Sequence, residues 1–186
     1  MEKEYIIRRV KAKMNFMKKI KDLKKKVLKK NYKTLNEENA IAFTRDLGEE
    51  HYWKFDVPDK PKTSKRTYQG VSVIDVEISP EGSNSLGSEI TVWFDPVLGK
   101  LHGDYKVSFT QHAKYKPKFQ FTPLTEESAL AYTKTIEGIE VDKSKKPKKI
   151  KEDGYPMIEV PITSGGHDYT FMVWYDPGYM GLYGEW

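Results

Sequence analysis

The sequence predicts an α+β fold: a basic N-terminal amphipathic helix over residues 1–31, then two tandem helix-plus-antiparallel-sheet repeats over 32–117 and 118–186. Three observations predict it. The first 31 residues hold no Gly or Pro and space their apolar residues by three and four. Four blocks of sequence then recur in the same order. Within those blocks, helical spacing gives way to strand alternation that ends in Asp-Pro turns.

The arm "EYIIRRVKAKMNFMKKIKDLKKKVLKKNYK" is rich in helix formers. Ile6, Ile7, Val10, Met14, Met17, Ile20, Leu23 and Val27 form its apolar stripe, opposite a strongly basic face. The stripe fits a 3.5 period slightly better than 3.6, but Lys13 and Lys24 interrupt it, so a docked helix or weak coiled coil suits it better than a long zipper. Charge separates this arm from the body. Residues 1–33 carry 14 Lys/Arg against 3 Asp/Glu, and the remaining residues carry 18 against 24.

The first repeated block pairs "YKTLNEENAIAFTRDL" (32–47) with "FTPLTEESALAYTKTI" (121–136) without gaps. Asn36 and Thr125 are N-cap residues by type, each followed by two glutamates in the positively polarised first turn. Leu35 and Leu124 are placed to staple onto Ala40 and Ala129. Ala40, Phe43, Thr44 and Leu47, with Ala129, Tyr132, Thr133 and Ile136, fall at helical spacing.

"VIDVEIS" (73–79) and "MIEVPIT" (157–163) read as strands in matching register, Pro161 favouring an edge strand or a bulge. "WKFD" (53–56) and "IEVD" (139–142) form a weaker pair. The Lys/Pro-rich segments 59–70 and 142–154 read as equivalent loops, and "GSNSLGS" (82–88) as a hairpin loop. In the last block, "TVWFDPVLGKLHGDY" (91–105) returns as "MVWYDPGYMGLYGEW" (172–186). Asp95 and Asp176 are turn formers by their Asp-Pro setting, and Gly99 supplies a positive φ before the return strand "KLHGDYKVSF". Trp93 and Trp174 anchor the sheet end just before each turn.

These residues resemble the PepSY domain family. "LTEESALAYTKTIEGIEV" is similar to its opening helix and first strand, and "ITVWFDPVLGKL" to its closing turn, with Asp95, Gly99 and Leu101 at matching offsets. The second copy departs there, with Met180 at the turn-glycine position and Gly181 one residue later. The resemblance implies a cystatin-like α+β module used for binding rather than catalysis.

No catalytic, cofactor or metal residues are expected. His51, His102, His112 and His167 show no metal-ligand spacing, and there are no cysteines. Tyr52, Trp53, Tyr179, Tyr183 and Trp186 are the candidate partner-binding residues, since outward Tyr and Trp on a rigid sheet are good interface anchors. Arg8, Arg9, Lys18 and Lys25 are candidate basic contacts.

The expected function is a non-enzymatic interaction protein, with inhibition one form it could take, that binds a protein or peptide partner through its repeats. The alternative is nucleic-acid binding through the basic helix, which could also support a homodimer. No apolar run suits a transmembrane segment and the N-terminus lacks a signal-peptide pattern, so a cytoplasmic location is expected.

Overall fold

The computed structural model describes residues 32–49, 55–80, 87–115 and 117–186. The basic helix expected over 1–31 lies outside them, as does most of the Gly/Ser-rich loop. Within the described residues the chain is α+β, and Tyr32–Trp186 is one compact unit.

Helix α1 (Glu37–Gly48) starts where Asn36 takes an extended backbone and its side chain accepts the Asn39 N–H. Helix α3 (Glu126–Thr133) starts at Thr125, which exchanges hydrogen bonds reciprocally with Ser128. Serine thus fills the glutamate position of a capping box. Ala40, Phe43, Thr44 and Leu47 are buried along α1, as are Ala129, Tyr132 and Thr133 along α3. Both buried threonines donate back to the carbonyl four residues earlier, Thr44 to Ala40 and Thr133 to Ala129, each at 2.8 Å. The second helix is shorter than the spacing predicts. It tightens after Thr133 into bonds three residues apart, and Ile136 reaches the core from that turn.

Strands β1 (Phe55–Asp56), β2 (Thr63–Tyr68), β3 (Val71–Glu77), β4 (Ser79–Pro80), β5 (Glu89–Asp95) and β6 (Lys100–Tyr105) precede helix α2 (Lys106–Tyr115). After α3 come β7 (Glu140–Val141), β8 (Lys148–Glu152), β9 (Tyr155–Ser164), β10 (His167–Asp176) and β11 (Gly181–Glu185). The first sheet runs β2-β3-β5-β6, and β1 pairs separately with β4. In the second, β11-β10-β9 is flanked beyond β9 by β8 at one end and β7 at the other. All pairings are antiparallel.

Four expectations are corrected. The lysine-rich segments 59–70 and 142–154 are not loops throughout: they contain β2 and β8, closed onto β3 and β9 by the two-residue turns Gln69–Gly70 and Asp153–Gly154. All four turn residues have positive φ, between 48° and 86°, which suits a tight hairpin. Among the described residues both are outer strands paired on one side only, and so lack the apolar run of a central strand.

The "WKFD"/"IEVD" alignment is displaced by two residues. Asp56 pairs with Ser79 and Glu140 with Thr163, so Asp56 matches Glu140 rather than Asp142. A shift of two leaves every side chain on the same face, so alternation cannot detect it.

Pro161 sits in an inner strand, not on an edge. It lies at the seam where β8 stops pairing β9 and β7 begins, so its missing N–H breaks no ladder bond. Finally, the return strand ends at Tyr105, and "KVSF" opens α2.

The two faces of the first sheet are both covered. Adjacent Val92 and Trp93 point to opposite sides. Val92 pairs with Gly103, which lies under Phe43 of α1. Trp93 clusters instead with Val71, Val73, Phe109 of α2 and Met180. In the second sheet, Ile158, Val160, Ile162, Phe171, Val173 and Leu182 form one core with Ala129 and Tyr132 of α3 and with Phe119.

The glycine of the recurring Leu-x-Gly-acid motif has a steric cause in both halves. A Cβ on Gly103 would stand 2.8 Å from the Phe43 ring, and one on Gly184 would stand 2.4 Å from the Phe171 ring.

Candidate interaction surface

Asp95 and Asp176 follow the tryptophans at the strand ends and build turns. Asp95 Oδ1 accepts the Val97 and Leu98 N–H groups at 2.8 and 3.0 Å, while Asp176 Oδ1 accepts those of Gly178 and Tyr179 at 2.9 and 3.3 Å. The second oxygen of Asp95 accepts the Tyr175 hydroxyl at 2.8 Å. That bond joins the two halves, and burial together with the Asp95 charge pushes the Tyr175 pKa far up, keeping the donor protonated.

The same turn positions the aromatic residues. Trp174 and Tyr183 are direct cross-strand partners with ring centroids 5.1 Å apart, and Tyr179 reaches from the turn to within 4.9 Å of Tyr183. In the first half Trp93 pairs with His102 in the same manner, at 6.0 Å, and takes its further cover from Phe109. Tyr179 and Tyr183 are half-buried. Burial is the largest influence on both, followed by the carboxylates of Asp176 and Glu185 for Tyr179 and of Glu185 for Tyr183, whose pKa rises to about 12. Both therefore present neutral hydroxyls in an acidic setting.

Trp186 does not join this group. Strand alternation sends it to the other face, where its ring lies 6.4 Å from that of Tyr169 and it is 58% exposed. Of the sequence-predicted residues, the structure thus brings Tyr179 and Tyr183 together and sets Trp186 apart. Tyr52, Trp53, Arg8, Arg9, Lys18 and Lys25 lie outside the described residues.

One cluster escapes sequence reasoning. The Asp75 carboxylate, 1% exposed, accepts Arg66 Nε at 2.7 Å and Nη2 at 3.1 Å and the Thr91 hydroxyl at 2.6 Å, with Lys106 Nζ at 3.0 Å. Lys106 also meets Glu89 at 2.8 Å. Burial pushes the Asp75 pKa up, but the bonds from Arg66, Thr91 and Lys106 outweigh it and hold the carboxylate below its usual range.

The corresponding positions of the second half are Ile150, Glu159 and Met172, so the network belongs to the first half alone. Its geometry is that of a clamp. Lys106 is the first residue of α2, and the two carboxylates hold it against the sheet although a lysine there opposes the helix dipole. The available signal was the strand alternation that places Asp75 on the same face as Trp93.

Open clefts among the described residues include two. One, of about 440 Å³, lies between the Gly165–Gly166 hairpin tip and Gly138–Glu140. The other, of about 470 Å³, lies between Lys118 and a wall formed by Glu127, Leu130 and Ala131 of α3 with Lys134 and Thr135 just beyond its end. The first is lined by one titratable residue, Glu140, and the second by Lys118, Glu127 and Lys134, and among the described residues no three His, Asp or Glu side chains converge as metal ligands. No described helix is long and apolar enough to cross a membrane. Comparison with known proteins gives no matching family model, no matching curated protein and no matching solved structure.

Proposed function

We propose that the chain is a non-enzymatic interaction protein that binds a protein or peptide partner. Its body is read as two copies of a PepSY-like α+β module over 32–117 and 118–186, following the basic segment 1–31. The duplication reading is supported by like pairing orders, like helix caps, the back-bonded Thr44 and Thr133, and the sterically required Gly103 and Gly184. A cytoplasmic, inhibitory role belongs to the same proposal.

The observation that carries the binding reading is the placement of aromatic residues on the β10–β11 hairpin. Tyr179 and Tyr183 are half-buried beside Trp174, and Trp186 stands open on the other face. Rigid, amphipathic rings on paired strands lose little entropy when a partner covers them. Affinity capture from the native cell with the full chain should retain a defined protein. Trp186→Ala or a Tyr179→Ala/Tyr183→Ala pair should lose it while keeping the parent melting transition. Identical capture by the folded variants would refute the aromatic surface.

The second reading, nucleic-acid binding, is favoured by the charge of 1–33, with 14 Lys/Arg against 3 Asp/Glu. It predicts binding to DNA or RNA that weakens steeply with salt. No binding at low salt, or binding unchanged when Arg8, Arg9, Lys18 and Lys25 are replaced by glutamine, would remove it. The homodimer reading of the same segment is tested by sedimentation at several concentrations.

A further inference from the structure

We propose that the outer edge of β8 accepts an extended acidic strand of a protein partner, whose acidic and apolar residues alternate. This rests on the protein-binding reading but uses a different surface from the aromatic one.

Among the described residues strand β8 pairs with β9 alone, which leaves one side of its backbone open to them. The open groups can be identified. Lys151 lies opposite Pro156, which has no N–H, so theirs is a pair without mutual hydrogen bonds. The alternation then makes Lys148, Ile150 and Glu152 the residues bonded to β9. Lys149 and Lys151 direct their N–H and C=O groups outward. These are the groups that an added strand needs.

Charge selects what is added. Lys143, Lys146, Lys148 and Lys151 are exposed and have no ion-pair partner among the described residues, and Lys149 reaches Glu126 only at 3.8 Å. Lysines guard an edge against a second copy of the same strand, because like charges would face each other. The same lysines favour an acidic strand, whose side chains would stand opposite them as cross-strand neighbours.

The two faces differ. Lys149 and Lys151 share one, while half-buried Ile150 lies on the other, so the matching strand carries Asp or Glu on the first face and an apolar residue on the second. The matching edge β2 is less open, since Lys65 is bound to Glu37 at 3.1 Å and Arg66 turns inward to Asp75. A nucleic acid would use the lysines but has no need of the outward backbone groups.

The test is fluorescence anisotropy of the full chain with a labelled octapeptide alternating glutamate and valine. Lys151→Gln should weaken binding about two- to fivefold, the size of one opposite-charge pair. Lys151→Pro should weaken it about tenfold or more, because proline removes an outward donor while leaving the β8–β9 ladder intact. A probe N-methylated at alternate residues should lose binding as well, and it decides the matter if the proline variant does not fold. Amide exchange at 149 and 151 should slow when the unmodified probe is added.

Equal loss in the proline and glutamine variants, or undiminished binding of the N-methylated probe, would overturn the proposal. Tighter binding of a single-stranded oligonucleotide of equal charge, again with the two variants alike, would overturn it in favour of phosphate contact. Residues 1–33 are the same in every variant, so their charge is a constant background. Trp186→Ala leaves β8 unaltered, so failure of the aromatic surface is read separately.

Discussion

Met180 holds a φ of +52° where the other half has Gly99 at +65°. An L side chain in this region costs about 1 kcal/mol relative to glycine. Here the side chain is 1% exposed and packs on Val71, Val73, Trp93 and Phe109 of the first half, which outweighs the strain. Met180→Ala keeps the strained backbone and loses the packing, for an expected loss of about 2–4 kcal/mol. Met180→Gly should lose about 1 kcal/mol less, since it relieves the strain. Urea unfolding of the two variants checks the order, and a glycine variant less stable than the alanine variant would contradict this account.

Asp75 is a buried carboxylate whose ionisation bears on stability. Its pKa is lowered in the folded state, so its contribution is fully present above the unfolded value of about 3.9 and is lost as pH falls through the folded value. Asp75→Asn leaves Arg66 and Lys106 without their shared counter-charge. Because the side chains of Arg66 and Lys106 are 26% and 38% exposed, the expected loss is about 2–4 kcal/mol at neutral pH, somewhat below that of a fully buried pair. The variant should also show a flatter decline in urea midpoint between about pH 5 and pH 2.

At the scale of the element, helices α1 and α3 were the most legible part. Cap, acidic first turn and apolar spacing all act within a few residues, and Asn36 and Thr125 do what their side chains allow. The outer strands were not legible, because β2 and β8 are defined by pairing with a neighbour and their compositions look like loops. Nor was α2: "KVSF" suits a strand locally, but Phe109 packs on Trp93 and Lys106 reaches Asp75 only in the helical form.

The β10–β11 hairpin carries the clearest prediction for an element. Gly184→Ala places a Cβ 2.8 Å from the Met172 carbonyl oxygen as well as against the Phe171 ring. The backbone oxygen cannot step aside as a flexible side chain would, so a loss of about 2–3 kcal/mol is expected. Gly103→Ala meets chiefly the Phe43 ring and should lose less. Thermal melts of the two single variants compare them directly.

At the scale of the whole molecule, the halves are joined by a small set of contacts around the second Asp-Pro turn. The Tyr175 hydroxyl reaches Asp95, and Met180 and Phe121 pack into the first core. Gly181 is glycine because the Phe119 carbonyl oxygen approaches to 2.5 Å of where its Cβ would stand. The departure of the second turn from the first is thus the junction itself. Tyr175→Phe removes one hydrogen bond to a buried carboxylate, for an expected loss of about 1.5–3 kcal/mol. Hydrogen exchange should show protection falling together in β5 and β10, and a loss confined to β10 would show that the halves open independently.

Of the candidate surface, the sequence named Tyr179, Tyr183 and Trp186, but alternation across β11 divided them between two faces. By itself the sequence determined the helix caps, the alternation of the inner strands and the chemistry of both Asp-Pro turns, because each depends on neighbours a few residues away. Only the tertiary structure decided which lysine-rich segments are strands, why Met180 holds a positive φ, and that Asp75 meets Arg66 and Lys106. Those outcomes depend on which surfaces come into contact after the chain has turned back on itself, and no local spacing records that.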